Sequence, residues 1–294
     1  MIDFRHETFL HLCEIRNYTK TAEVLNITQP AVSQHIRYLE EIYGGKLLIY
    51  EKKMLTLTPR GKILYDFLKR MFADFEQVKT KIMSIGEQTV ISFGATLTIG
   101  EFVMPEIILD LMRKDSSLHL NMLVENTKTL IEKLYAGKVA FVLLEGYFNK
   151  AEFGYKLFRK EEFIPMCSSE SPLSQGEYIL EDLLECNLVL REIGSGTRDI
   201  LEQELDRKNL SVDSFNNIIE IGNMNAIKEL VTQNIGITFM YKAAAEKELE
   251  MGKLCRINVK DFNVIREFNF VYLKDSVQME EYYEWFKLLE RYNS

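Results

Sequence analysis

The feature that most constrains this chain is a run of apolar residues that begins at Leu64 and repeats in steps of four and three up to Ile85. Such spacing over three heptads is typical of a long helix with a single apolar seam. Thr58 can cap the start and Pro59 suits the first helical position, so we predict a linker helix over residues 59–88. The seam consists of Leu64, Leu68, Met71, Phe75, Val78 and Ile82. It could pack on its own domain or join two copies of the chain.

Net charge differs between the N-terminal part of the chain, up to the end of this helix, and the part that follows it. The whole chain has a formal net charge of −8, which by itself argues against a nucleic-acid partner. Residues 1–90 carry 13 basic and 11 acidic side chains, whereas the remaining residues carry 23 and 33. Only the N-terminal part could therefore approach DNA phosphates easily, and this modest asymmetry does not establish DNA binding without a motif.

Residues 1–58 are predicted to form short helices followed by a wing. Apolar residues from Phe4 to Ile15 recur at helical spacing, and Thr19 is the expected cap of a second helix. Thr28 is the expected cap of a third helix, with Pro30 in its first turn, where the missing N–H costs nothing. This pattern predicts a small helical domain with its own core.

The third helix is expected to have two different faces. A buried stripe is predicted from the spacing of Val32, Ile36, Leu39 and Tyr43. The opposite face carries Gln29, Ser33, Gln34 and Arg37. Glutamine amides can pair with adenine edges in the major groove, and Arg37 can reach guanine or a phosphate. These side chains suit a recognition helix, although a merely solvated face would have the same composition.

Two short strands are predicted after the third helix, with a turn between them. Lys52 and Lys53 lie at the tip of this wing. A basic wing beside a recognition helix can neutralise phosphates of the DNA backbone. We therefore predict that both lysines contact the backbone and not the bases.

From residue 89 onward, short apolar strands alternate with helical segments. We predict strands over about residues 89–95, 118–125, 139–146, 163–169, 188–193, 218–222, 236–241 and 268–273, with helices near residues 100–113, 127–136, 180–184, 197–208, 224–233 and 279–292. Such alternation predicts an α/β domain with parallel strands and crossover helices. Ligands of open α/β sheets bind beyond the carboxyl ends of the strands, so the loops after the strands are the candidates.

Two of these loops carry polar groups that favour an anion. The first contains Thr96 and Thr98. The second consists of Gly194, Ser195, Gly196, Thr197 and Arg198. Amides at a helix start, together with hydroxyls and an arginine, suit a small carboxylate, phosphate or sulfate compound. Alternatively, Ser195 and Thr197 only cap their helix.

The motifs TQPAVSQHI, LE, YG and LTPRG in the first 64 residues resemble the DNA-binding domain of LysR-type transcription regulators. The resemblance implies an all-α winged helix-turn-helix that binds a palindrome in double-stranded promoter DNA as a homodimer or homotetramer. The implied DNA-binding residues are Thr28, Gln29, Pro30, Ser33, Gln34, Arg37, Lys52 and Lys53. Asn17 and Thr21 replace Ser and Ala of the family pattern, while Leu48 and Tyr50 replace Phe and Arg. Because Tyr50 replaces that arginine, one phosphate contact of the family pattern is in doubt, whereas the fold is not.

The C-terminal part resembles the two-lobed, periplasmic-binding-protein-like effector domain of the same family. The resemblance implies a first lobe over about residues 89–162 and 268–294 and a second over about 163–267, with a small effector between them. The implied effector-binding residues are Thr96, Thr98, Glu145, Gly146, Gly194, Ser195, Gly196, Thr197, Arg198, Asn223 and Met224. Ala140 stands where the family often has Asp. We expect the effector to reorient the lobes and thereby change DNA binding.

Other classes of function fit the sequence less well. The four histidines form no acid–base or nucleophile–base group, so we expect no enzyme activity and no cofactor. A solute-binding transport module could share the two-lobed domain, but it would carry a secretion signal, whereas this chain starts MIDFRHE. We found no apolar run long enough for a membrane helix, so the cytoplasm is the expected compartment.

The cysteines leave one alternative within the regulator class, a redox sensor. Cys13, Cys167, Cys186 and Cys255 are far apart in sequence, with no spacing typical of a zinc site or a disulfide framework. Cys167 and Cys186 lie at or near predicted strand starts, where buried packing is the expected role. We therefore predict no bound metal and keep redox sensing as the alternative mechanism.

Overall fold

The computed structural model describes residues 3–51, 54–83 and 90–292. The chain divides into two compact units. The first unit contains Met1–Ile82, Tyr135–Lys138 and Asp275–Val277, and the second contains the rest. Within the described ranges, no helix combines the length and apolar character that a membrane crossing requires.

Three helices open the first unit: α1 (Phe4–Ile15), α2 (Tyr18–Val24) and α3 (Gln29–Ile42). Their starts are capped by the side chains of Asp3, Asn17 and Thr28, which accept backbone N–H groups of the first turn. The predicted cap Thr19 is wrong, because α2 already includes it and Asn17 accepts from the Lys20 amide at 3.0 Å. The predicted cap Thr28 is confirmed.

A two-stranded wing follows, with β1 (Leu48–Glu51) antiparallel to β2 (Met54–Leu57). The wing residues Lys52 and Lys53 lie outside the described residues. Thr58 then accepts the Gly61 amide at 3.0 Å and donates to the Lys46 carbonyl at 2.8 Å. These bonds fix the start of α4 (Pro59–Met83) against the base of the wing. The last residues of the predicted linker helix, 84–88, lie outside the described residues.

The core of the first unit joins all four helices and the wing. The buried apolar residues are Phe9, Leu12, Cys13, Ala22, Val32, Ile36, Leu39, Leu47, Leu48, Leu55, Leu64 and Leu68. Helix α4 contributes Leu64 and Leu68 to this core, and Tyr65, Met71 and Phe72 pack against it.

The second unit begins with alternating strands and helices. These are β3 (Val90–Ala95), α5 (Met104–Lys114), β4 (His119–Val124), α6 (Thr127–Tyr135) and β5 (Val142–Leu144). Strand β3 pairs in parallel with both β4 and β5, which confirms the predicted parallel strands. A π-helical turn, Ile99–Val103, precedes α5, so the regular helix begins later than the predicted Gly100.

The remaining elements build the second lobe and return the chain to the first lobe. They are β6 (Phe153–Ser168), β7 (Asn187–Leu190), α7 (Gly196–Asp206), β8 (Asn217–Glu220), α8 (Met224–Thr232), β9 (Thr238–Tyr241), α9 (Glu246–Glu250), β10 (Leu254–Arg256), β11 (Val264–Leu273) and α10 (Met279–Glu290). Strands β7 and β8 are parallel, whereas β9 and β10 pair antiparallel with β6. The helix predicted near Leu180 is a 3-10 helix, Leu180–Glu185.

Two long strands serve both lobes. β11 lies antiparallel to β6 from the pair Val264 and Phe163 to the pair Leu273 and Phe153. In the first lobe β11 also pairs with β5, and in the second lobe the end of β6 pairs with β9 and β10. The first ten residues of β6 and the first four of β11 were not predicted as strand from the sequence. The chain therefore crosses between the lobes twice on paired strands.

Candidate DNA-binding face and effector cleft

The polar face of α3 is free of the core of the first unit. Gln29, Gln34 and Arg37 are exposed, while Val32, Ile36 and Leu39 on the other side are buried. Gln29 donates from Nε2 to Ser33 Oγ at 3.0 Å, a weak constraint on two side chains expected to contact bases. The exposed residues Thr28 and Pro30 begin this face.

The predicted buried stripe of α3 is correct except at its end. Tyr43 is 38% exposed, because α3 ends at Ile42 and the tyrosine caps it outside the core. Its hydroxyl group lies 2.8 Å from His6 Nε2, which ties the end of α3 to α1. The apolar stripe therefore stops one turn earlier than predicted.

Polar contacts between α1 and α3 set the position of α3. Thr8 Oγ1 lies 3.0 Å from His35 Nδ1, and the Arg5 guanidinium lies 3.8 Å from the centre of the Tyr38 ring. Burial lowers the pKa of His35, which favours the neutral imidazole. Sequence reasoning missed these contacts, because nothing in the spacing of α1 indicates which of its residues meet α3.

The predicted seam of α4 divides into two parts. Leu64 and Leu68 are buried in the core of the first unit, and Met71 is partly buried there. Phe75, Val78 and Ile82 are instead exposed, at 51%, 40% and 61%. We call these three residues the exposed seam. A row of large apolar side chains at helical spacing is costly in water, so the exposed seam favours a partner.

A cleft of about 1450 Å³ opens in the second unit, beside the carboxyl ends of the parallel strands. Its walls come from the loops after β3, β4, β5 and β7 and from β11. The predicted effector residues that line it are Thr96, Glu145, Gly146, Gly194, Ser195, Gly196 and Thr197. Thr98, Arg198, Asn223 and Met224 are not among the lining residues. The two loops singled out from the sequence thus meet at one cleft.

Glu145 is the most perturbed ionisable group of this cleft. Its Oε1 atom accepts from Thr98 Oγ1 at 3.1 Å, and its amide donates to Thr96 Oγ1 at 3.3 Å. Its Oε2 atom is shielded from solvent and has no hydrogen-bond partner among the described residues. Burial raises the pKa of Glu145 to about 7, although the Thr98 hydroxyl and Arg191 act in the opposite direction. The unsatisfied oxygen suits a ligand that donates a hydrogen bond.

The start of α7 supplies backbone donors to the cleft wall. Ser195 precedes the helix in an extended conformation, and its side chain makes no capping hydrogen bond. Its own amide donates to the Glu192 carbonyl at 3.1 Å. Gly194 has φ +89°, a conformation that favours glycine and turns the chain into the helix. The amides of the first turn lack intrahelical acceptors and carry partial positive charge, which favours an anion.

Arg198 is placed differently from the prediction that it holds the effector. Its side chain is buried, and its Nε and Nη1 atoms contact Glu202 and Glu220 at 2.6 and 2.5 Å. The hydrogen bond to Glu202 raises the pKa of Arg198 further. The arginine that does line the cleft is Arg191, which forms two 2.7 Å bonds with Glu192.

Both signs of charge line the cleft. The basic residues are Lys128, Lys150, Arg191 and Arg266, and the acidic residues are Glu125, Glu145, Glu192, Asp199 and Glu267. Besides Glu145 Oε2, two buried polar atoms here lack a partner among the described residues, Arg266 Nε and Asn269 Oδ1. Such a lining suits a ligand with both acceptors and donors better than a simple anion.

The described part of the chain contains no group of three or more His, Cys, Asp or Glu side chains placed to hold a metal ion. Asn223, assigned from the sequence to a cleft loop, caps α8 by accepting the Ala226 amide at 3.0 Å. Met224 is buried in the second lobe. The cleft is thus a site for hydrogen bonds and charge, built from side chains and helix amides.

Two family models match the chain in sequence. A model described as bacterial regulatory helix-turn-helix protein, lysR family, matches residues 5–62. A second, described as LysR substrate binding domain, matches residues 84–293, more than half of the chain. The two matches correspond to the helical domain with its wing and to the domain that contains the cleft.

Individual proteins agree with these matches. The HTH-type transcriptional regulator CysL of Bacillus subtilis (strain 168) is 29% identical over 269 residues, 90% of this chain and 89% of that protein. The structure of full-length LTTR LysG from Corynebacterium glutamicum with bound effector Arg has a TM-score of 0.63 at 13% identity, covering 100% of this chain and 98% of that one. The Synechocystis PCC6803 CcmR regulatory domain in complex with 2-PG has a TM-score of 0.60 at 17% identity, covering 69% of this chain and 97% of that one. At such identities the two structures support the fold.

Proposed function

Because the chain belongs to the LysR family of bacterial regulatory helix-turn-helix proteins, we propose that it binds promoter DNA as a homo-oligomer and that a small effector in the cleft controls this binding. The protein is a DNA-binding transcription regulator of this family, with an N-terminal helix-turn-helix and a two-lobed C-terminal domain. It acts on DNA in the cytoplasm and requires no catalytic step or cofactor. The proposal for DNA binding is based on the exposed polar face of α3. The proposal for effector binding is based on the buried polar atoms of the cleft that lack a hydrogen-bond partner among the described residues.

For DNA, the proposed base contacts come from Gln29, Ser33, Gln34 and Arg37 at the major groove. Gln29 and Arg37 are exposed on the face opposite the buried stripe, so they can enter the groove without disturbing the core. Thr28 and Pro30 position the start of α3, and Lys52 and Lys53 are assigned to phosphates. Two such heads would bind two half-sites of a palindrome.

For the oligomer, the exposed seam is the proposed contact between two copies. Phe75, Val78 and Ile82 follow one another at steps of three and four along α4. A second α4 packed on this row would remove all three side chains from water. Leu64 and Leu68, which the sequence analysis included in the same seam, hold α4 to its own domain. The homodimer is therefore proposed to form through the C-terminal half of the helix, with a homotetramer as the larger alternative.

For the effector, we propose a small molecule that carries an anionic group and a hydrogen-bond donor. The anionic group would bind the first amides of α7 and Arg191, and the donor would bind Glu145 Oε2. The fold relatives that hold Arg or 2-PG are consistent with a small polar ligand in a domain of this type. Effector binding would change the relation of the two lobes and thereby the DNA-bound state.

One experiment tests both halves of the proposed function. Full-length protein is titrated into its own upstream intergenic DNA and into scrambled DNA at matched salt. Matched compounds such as succinate, malate and aspartate, which carry H, OH or NH₃⁺ at one carbon, are then added in turn. Specific DNA binding that malate or aspartate alters, and succinate alters less, supports the proposal. Salt-sensitive binding with no sequence preference would contradict it.

A Glu145→Met variant isolates the role proposed for the carboxylate. Methionine fills similar volume but offers no strong acceptor. We expect the preference for malate or aspartate over succinate to disappear in this variant, while the DNA preference stays. Loss of ligand discrimination in a Glu125→Met control as well would assign the effect to the overall charge of the cleft.

A further inference from the structure

Two cysteines far apart in sequence are neighbours in the second lobe. Cys167 on β6 and Cys255 on β10 are direct partners in the antiparallel ladder, and their Sγ atoms lie 3.4 Å apart. Both thiols are free. The sequence analysis weighed Cys167 with Cys186 and missed this pair, because only strand pairing brings Cys255 next to Cys167.

The backbone around the pair suits a disulfide bond. Ser169 donates to the Lys253 carbonyl at 3.1 Å, and Ile257 donates to the Pro165 carbonyl at 3.0 Å, two residues to either side of the cysteine pair. By the alternation of antiparallel ladders, the pair occupies a hydrogen-bonded position with Cα atoms about 5.5 Å apart. Disulfide bonds span Cα distances of about 4.4 to 6.8 Å and Cβ distances of about 3.5 to 4.5 Å. The Cα spacing of this pair fits, and a small local approach of the two Cβ atoms would bring the sulfur atoms from 3.4 Å to bonding distance.

The two thiols differ in access. Cys167 is fully buried, and burial raises the pKa of its thiol to about 12. Cys255 is only partly buried and belongs to β10, an edge strand of the sheet. A small oxidant would therefore meet Cys255 first, with Cys167 behind it as the second thiol.

We propose that Cys167 and Cys255 form a reversible disulfide site for peroxide. The Cys255 thiolate attacks one oxygen of hydrogen peroxide, the O–O bond breaks, and the products are a sulfenic acid and, after protonation, water. The Cys167 sulfur then attacks the sulfenic sulfur, the S–O bond breaks, and the hydroxide takes up the thiol proton and leaves as a second water. Peroxide is reduced by two electrons and the thiol pair is oxidised by two. A small dithiol reverses the reaction by exchange.

The disulfide would tie the edge strand β10 to β6. Strand β10 is only three residues long, and β6 is one of the two strands that cross between the lobes. The new bond would join two strands that are already paired, so it requires only a local adjustment at the cysteine pair. Oxidation would thus reinforce the second lobe at its edge, independently of any ligand in the cleft.

The test uses the full-length reduced protein treated with hydrogen peroxide. We expect the intact mass to fall by two hydrogen atoms, two of the four thiols to resist alkylation, and one peptide pair to link Cys167 with Cys255. Dithiothreitol should restore all four thiols. The Cys186→Ser variant should behave like the parent, whereas Cys255→Ser and Cys255→Ala should not form the link.

Several outcomes would overturn the proposal. One is a parent protein that gains oxygen atoms without losing two hydrogens, and another is a linked peptide pair that contains Cys186 in place of Cys255. Equal mass loss in Cys255→Ser and the parent would also overturn it. Circular dichroism of each variant before oxidation establishes that a negative result does not come from unfolding.

Discussion

Thr98 donates a hydrogen bond from Oγ1 to Glu145 Oε1 at 3.1 Å, while the second oxygen of the same carboxyl group is buried without a partner among the described residues. The carboxyl group is therefore half satisfied by the protein. Because the charged form gains only one such bond and loses water, protonation at neutral pH becomes easier. This pairing gives the cleft a group that can change its charge near physiological pH.

The pH dependence of stability follows from this group. The pKa of Glu145 is raised from 4.5 to about 7, so the folded protein holds the proton more tightly than the unfolded chain. Its contribution to stability is full below pH 4.5 and is lost as the pH rises through 7. Between pH 4.5 and 8 we expect the parent to lose about 3 kcal/mol relative to a Glu145→Gln variant. Urea unfolding at a series of pH values measures this difference, and Glu125→Gln, an exposed carboxylate of the same cleft, should show no such effect.

Oligomer formation should depend on the exposed seam. Phe75→Glu places a charge in the proposed contact between two α4 helices, so we expect at least a tenfold weaker dimer, in line with losing about 2 kcal/mol of burial. Light scattering coupled to size exclusion gives the mass, and binding to a two-half-site DNA gives the functional consequence. Phe75→Leu keeps an apolar side chain and should remain a dimer. A dimer of unchanged affinity in Phe75→Glu would place the interface elsewhere.

Base contacts and phosphate contacts should be separable by mutation. Gln29→Ala is expected to cost about 1 to 3 kcal/mol on the specific site and little on scrambled DNA. Lys52→Ala should weaken binding to both sequences and reduce the salt dependence by about one counterion. Titrations at several salt concentrations distinguish the two patterns. Uniform weakening by both variants would mean that α3 does not read bases through Gln29.

Two neighbouring glycines provide a matched test of the loop before α7. Neither would meet another atom within 4 Å if it carried a Cβ, but only Gly194 has a positive φ, +89°. Gly194→Ala should therefore destabilise the protein by about 1 to 2 kcal/mol through backbone strain alone. Gly196→Ala should be neutral or slightly stabilising, since alanine loses less entropy on folding. Thermal unfolding compares them directly, and equal losses would argue against strain as the cause.

Arg191 and Arg198 should separate ligand binding from stability. Arg191 lines the cleft but is itself buried and bonded to Glu192, so Arg191→Ala is expected to weaken binding of an anionic ligand with a loss of stability no larger than that of Arg198→Ala. Arg198→Ala removes the buried partner of Glu202 and Glu220. Because both glutamates are partly exposed and water can solvate them, we expect the free energy of unfolding to fall by only about 1 to 2 kcal/mol. Calorimetry and urea unfolding on both variants measure the two effects. Reversed results would restore Arg198 as the effector contact predicted from its sequence position.

Local sequence signals predicted the elements whose determinants are local. Thr28 and Pro30 mark the start of α3, and short apolar runs mark β3 and β5. The first half of β6 carries neither an apolar run nor a regular alternation, because its buried Phe153 and Phe158 are separated by exposed Tyr155 and Leu157. Its strand conformation depends on pairing with β11, more than a hundred residues later.

In the candidate site, too, the sequence predicts what depends on local signals and misses what depends on tertiary contacts. The loops at the ends of β3 and β7 follow from the rule for parallel strands, and both line the cleft. The choice between Arg191 and Arg198 could not be made from the sequence, because α7 directs Arg198 toward Glu220 on a strand that follows later. Contacts of this kind depend on tertiary packing and leave no periodic pattern.

The second lobe begins and ends at adjacent points of one ladder, since Phe163 on β6 is the register partner of Val264 on β11. The chain therefore leaves for the second lobe and returns from it on strands only about 5 Å apart. The segment between Phe163 and Val264 can therefore be treated as an insertion whose two ends lie side by side at one place in the first lobe. A different insert with similarly spaced ends could be grafted there while β5 and β11 keep their pairing, which offers a route to regulators that respond to other small molecules.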